Sequence, residues 1–174
     1  MNRKYLGDSY DAVKRMWGEM FFHWAPLYAA SRYIPLEMQD DYTQLTGIPI
    51  LNKALDDPYS ILNDPDTGIR MPDEKNQRSG STHTTIIEIS NQLREYAPQC
   101  IVTFDQSNYR NRISNHQEQR AKKVETLREL CVASFYYVSH APFLFAFSSN
   151  EARIQLKIHL IKCGIPKSRF EIVE

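Results

Sequence analysis

Three acidic or hydroxyl-rich segments, Gly7-Asp8-Ser9, Asn63-Asp64-Pro65-Asp66 and Asp105-Gln106-Ser107, each follow an apolar run. Those runs are Tyr5-Leu6, Ser60-Ile61-Leu62 and Ile101-Val102-Thr103-Phe104. Parallel strands of an α/β sheet present their sites at their carboxyl ends, so three such runs side by side would gather the carboxylates at one edge. Oxygen ligands of this kind suit Mg²⁺ or Mn²⁺, and such ions bridge naturally to phosphate. The pattern predicts a metal held by Asp8, Asp64, Asp66 and Asp105. Arg110 and Arg112, just past Asp105, offer planar guanidinium groups for two-point hydrogen bonding to the phosphate. His140, beside Ser139 in a short link between apolar segments, is the expected proton carrier, working with Asp8 and Asp105. Ser9, Asn63, Thr67, His83 and Ser107 complete the expected substrate-binding set, with His83 at a helix entrance after a polar loop.

Individual motifs give weaker alternatives. Gly7-Asp8-Ser9 resembles the first block of the GDSL (SGNH) hydrolases, whose serine after the first strand is the nucleophile. That resemblance implies ester hydrolysis through Ser9, which needs a base to take its proton. Those enzymes carry an aspartate three residues before a histidine near the C-terminus; the equivalent positions before His116, His140 and His159 are Ile113, Tyr137 and Leu156. Ser9 also reads as a helix N-cap. An EF-hand loop starting at Asp64 would require a carboxylate where Lys75 stands. The D-x-D-x-T/V signature of haloacid dehalogenase phosphatases is met only until Gly68, and Asn63-Asp64-Pro65 resembles the start of the N/D-P-P-Y element of amino-methyltransferases without any G-x-G turn for S-adenosylmethionine. What remains is turn chemistry.

With 174 residues, 42% apolar and 24% charged, the chain reads as one globular α/β domain over 1–174. No apolar stretch reaches the length of a membrane span, so no membrane partner and a cytoplasmic location are expected. Lys and Arg balance Asp and Glu at 21 each, which removes any global attraction to nucleic acid. Charge is nonetheless uneven, basic from Arg110 to Arg128 and acidic from Asp56 to Glu74. Cys100, Cys131 and Cys163 are odd in number and lie far apart, which suits buried reduced thiols.

The elements that must position these residues follow from periodicity. Val13, Met16, Trp17, Met20, Phe21 and Trp24 recur at helical spacing after Ser9, and a second helix is expected over 36–45, closed by Gly47. An irregular insertion follows at about 48–83, with a short strand at 59–63. Thr85 and Glu88 form a capping box before Ile86, Ile89 and Leu93. Residues 100–104 read as a strand buried on both faces, and Ser114 with Gln117 opens a helix whose inward residues are Ala121, Val124, Leu127 and Cys131. Strands at 133–138 and 143–147 are too closely linked for a crossover and must be antiparallel. Asn150 is expected to cap a helix carrying Ile154, Ile158 and Ile161, ended by Gly164 and Pro166, and 170–173 to add a last strand. The expected architecture is a mostly parallel central sheet in Rossmann-like layers, with one antiparallel hairpin near the C-terminus and helices on both faces. Its expected function is a divalent-metal-dependent phosphoester hydrolase acting on a phosphate-containing small molecule or nucleic acid. The alternatives are a non-catalytic nucleotide- or partner-binding module and a serine ester hydrolase using Ser9.

Overall fold

The structure, a computed structural model, describes residues 6–71, 82–106 and 115–171. In chain order its strands are β1 (Leu27–Ala30), β2 (Ile50–Leu51), β3 (Ser60–Asn63), β4 (Cys100–Phe104), β5 (Ala133–Tyr137), β6 (Phe143–Phe147) and β7 (Phe170–Glu171). They form one mixed sheet in the order β2-β1-β3-β4-β6-β5-β7. The first four strands are parallel; β6 pairs antiparallel with both β4 and β5, and β7 antiparallel with β5. Every residue of β3, β4 and β6 is buried, as befits strands covered on both faces.

Among the described residues five α-helices cover the sheet: α1 (Ser9–Phe21), α2 (Gln39–Thr46), α3 (Ile86–Tyr96), α4 (His116–Glu129) and α5 (Asn150–Lys162). Alternate residues of a strand point to opposite faces, so ring contacts identify which helix lies where. Trp17 of α1 meets Tyr137, Phe143 and Phe145 edge-on, and His159 of α5 bonds the Met20 carbonyl, which puts α1 and α5 on one face. Gln92 of α3 meets Asn63, and Lys123 of α4 lies in the same hydrogen-bond cluster as Tyr136; both partners point to the opposite face. A phenylalanine taken wholly out of water contributes about 1.5–3 kcal/mol. Phe135, Phe143, Phe145 and Phe147 are all fully buried, so this aromatic layer anchors the antiparallel half.

Several local expectations change. Leu6 lies in a turn, so the first carboxylate segment follows no described strand and opens a helix instead. Asp8, not Ser9, is the N-cap of α1, its Oδ1 accepting from the Tyr10 amide at 2.8 Å. Asn115 caps α4 in a reciprocal box with Glu118, and Ser149 caps α5 by accepting from the Ala152 amide. Ser114 lies outside the described residues. In α5 the inward residues are Leu156 and Leu160, while Ile154 and Ile158 are exposed. Cys100 is buried but Cys131 and Cys163 are exposed, which corrects the reading of all three as core thiols. Strands β1 and β2 were not expected from sequence, and the expected last strand is described only as Phe170–Glu171. Among the described residues no helix is long and apolar enough to cross a membrane.

Candidate functional site

Helix α1 precedes β1 and runs back along the sheet, which brings its first turn to the carboxyl edge of the parallel strands. There it meets the segments leaving β3 and β4. A cleft of about 450 Å³ opens between them, lined by Asp8, Tyr10, Asp11, Lys14, Asp64, Pro65, Asp66, Thr67, Phe104 and Gln106. A second cleft of about 310 Å³ adjoins it, lined by Tyr10, Asp105, Gln106, His116, Arg120, Ser139, His140 and Pro142. Tyr10 and Gln106 belong to both, and the Gln106 amide donates to the Tyr10 hydroxyl at 3.0 Å. The Tyr10 ring stands between Phe104, 5.2 Å away between centroids, and His140 at 6.0 Å. It is the partition of the site.

Beneath the wider cleft lies a buried charge cluster. Lys14 Nζ donates to Asp11 Oδ1 at 2.9 Å and forms an ion pair with Asp64 Oδ2 at 2.7 Å. Asp11 Oδ2 also accepts from the Gly7 amide at 2.7 Å. Burial works against the Lys14 ammonium, but Asp64 and Asp11 outweigh it and raise its pKa above the usual lysine value. One ammonium serving two carboxylates leaves an excess of negative charge. Burial is the main force raising the Asp64 pKa; Lys14 opposes it and the Asp11 charge adds to it. Burial likewise pushes the adjacent Tyr42 hydroxyl far up, helped by the charges of Asp64 and Asp11.

Asp105 sits in a separate cluster with all its acceptor positions occupied. Oδ1 accepts from the Ile69 amide at 2.9 Å and Lys123 at 3.1 Å; Oδ2 accepts from Lys123 at 2.8 Å and the Tyr136 hydroxyl at 2.7 Å. Burial opposes its ionisation, but Lys123 and these hydrogen bonds together hold its pKa below the usual carboxylate range. The Ile69 bond ties the segment after β3 to the end of β4. Gly68 lies so close, at φ +97°, that a Cβ there would come within 2.6 Å of Asp105 Oδ1. Only glycine fits this approach.

The structure therefore distributes the expected site residues unevenly. Asp8, Asp64, Asp66 and Thr67 line the wider cleft, while Asp105 and His140 line the smaller one. Each buried expected ligand has a lysine where a shared cation was expected, and among the described residues no group of three His, Cys, Asp or Glu side chains is arranged to hold a metal. Asn63 is turned away, its side-chain amide exchanging hydrogen bonds with Gln92 at 2.6 and 3.2 Å. Ser9 is exposed in the first turn of α1, and His83 bonds the Thr82 hydroxyl; neither lines either of these two clefts. Ser107, Arg110 and Arg112 lie outside the described residues.

Sequence reasoning missed Lys14, Lys123, Tyr10, Gln106 and Tyr136 as site residues, and gave His116 no role. One signal was available: Asp11 and Lys14 stand three apart on the side of α1 that also carries Trp17 and Phe21. No family model, curated protein or solved structure matches the chain.

Proposed function

We propose that this protein is a small-molecule-binding module whose wider cleft accepts a planar group bearing N–H donors, of which a nucleobase is the type. The observation that carries this reading is the composition of that cleft. Tyr10, Phe104 and Pro65 supply apolar surface, while Asp8, Asp66 and Thr67 supply polar groups at the rim. Aromatic faces with a few placed acceptors suit a flat, partly polar ligand, and 450 Å³ is within the usual range of small-molecule pockets. Support also comes from topology. The parallel half β2-β1-β3-β4 reverses its winding between β1 and β3, and Asp64 leaves β3 beside that point. Rossmann-like sheets bind nucleotides at such reversals.

The phosphoester hydrolase reading depends on a cation shared among the carboxylates. Lys14 and Lys123 already pair with Asp64 and Asp105, so binding without turnover is favoured. Calorimetric titration with the four ribonucleosides should show binding that Asp66→Asn weakens by about fivefold or more, the loss of one acceptor to a ligand N–H. Hydrolysis of a phosphomonoester or phosphodiester panel, abolished by EDTA, would overturn the binding-module reading. So would nucleosides failing to bind at millimolar concentration.

A further inference from the structure

The smaller cleft differs from its neighbour in chemistry. His116 and His140 are exposed at its mouth, and Arg120 reaches it from one turn further along α4. Arg120 is held from behind: its Nε and Nη2 donate to Glu171 at 2.7 and 2.8 Å, which fixes the plane of the guanidinium. Neither imidazole has a hydrogen-bond partner among the described residues. Even a neutral imidazole carries one N–H donor. The Tyr10 hydroxyl accepts from Gln106 and so keeps its own proton to give.

The Asp105 carboxylate and the Ser139 hydroxyl in the same cleft are already engaged. Both oxygens of Asp105 are occupied, and its charge is answered by Lys123. Ser139 Oγ donates to the Ala141 carbonyl and accepts from the Ala141 amide. Glu118, one turn into α4, turns its carboxylate back to the Asn115 amide. What faces the space is thus donor-rich, and its 310 Å³ exceeds the volume of a phosphate group.

We propose that this cleft is an anion subsite that takes the phosphate of the ligand whose planar group occupies the wider cleft. The ligand class becomes a nucleoside 5′-phosphate lying across the Tyr10–Gln106 partition. This assignment rests on the binding-module reading for the planar group, but the phosphate site itself stands on the donor set just described. A molecule spanning both clefts would be divided by the shared pair, flat portion against Phe104 and Tyr10, charged portion toward His116, His140 and Arg120.

The test compares the four ribonucleosides with their 5′-monophosphates by calorimetry, and follows the imidazole NMR signals of His116 and His140 during titration with inorganic phosphate. The monophosphates should bind about tenfold or more tightly than the nucleosides, as expected for charge-assisted hydrogen bonds. The double variant His116→Ala, His140→Ala should cut that preference by about fivefold or more, as expected once two of the donors are gone. Both side chains are exposed, so thermal unfolding of this variant should match the parent. Nucleosides binding as well as monophosphates would overturn the phosphate site alone. Phosphate shifting both imidazoles while nucleosides fail to bind would uphold this site and overturn the reading of the wider cleft. A monophosphate preference undiminished in the double variant would also overturn the assignment.

Discussion

At the scale of single residues, the two buried lysines decide what the acidic groups do. Breaking a buried ion pair by removing one partner costs about 3–5 kcal/mol, because the other charge is left without compensation. Asp105→Asn should therefore destabilise the protein by about that amount at neutral pH, read from urea unfolding. Because the folded pKa of Asp105 is lowered, its contribution is present above the ordinary aspartate value and is lost as pH falls through the folded value. The gap between parent and variant should shrink below about pH 4. Asp64 carries the opposite sign: its pKa is raised, so its contribution is present at acid pH and lost as pH rises through the folded value. Asp64→Asn should cost clearly less than Asp105→Asn at pH 7, since Lys14 retains Asp11. Equal losses for the two variants would refute this account. Lys123 was unreadable in sequence because it stands among basic neighbours that look solvated. Only its position beside Val124 and four before Leu127 places it on the inward side of α4.

Helices and strands were legible wherever local chemistry agreed with burial. The Thr85 cap, the Gly47 stop and the antiparallel β5–β6 pair all rest on short-range signals that the fold keeps. Strand β1 was hidden because four residues after Pro26 carry no periodicity, and its identity comes only from pairing with β2 and β3. The inward face of α5 was not legible for another reason: its isoleucines and leucines both recur at helical spacing, and which stripe faces inward is set by the sheet. Missing β1 misplaced the first carboxylate. Asp8 belongs to a helix start, and an N-cap aspartate replaced by alanine costs about 1 kcal/mol. Asp8→Ala should lower stability by that amount, whereas Ser9→Ala should change it by less than about 0.5 kcal/mol. Thermal unfolding of the pair checks this, and a larger loss from Ser9→Ala would contradict the assignment of the cap.

The whole molecule is a sheet whose burial is graded from centre to rim. Strands β4 and β6 are buried throughout, while among the described residues β2 and β7 each comprise two residues at the edges. Short edges of this kind limit unwanted pairing between molecules. Native-state hydrogen exchange should find the amides of β4 and β6 slowest and those of β2 and β7 fastest. Central strands exchanging as quickly as the rims would mean that the sheet does not open from outside inward.

Between β4 and β5, which run the same way, the sheet leaves a slot that β6 fills from later in the chain. Neighbouring strands are about 4.8 Å apart, so until β6 enters, its two flanking strands face each other across about twice that distance with unpaired backbone groups. On the ribosome, synthesis through Phe147 must precede closure of the sheet. A nascent chain stopped short of that residue would hold its aromatic layer half-built and exposed to solvent, a natural substrate for chaperones.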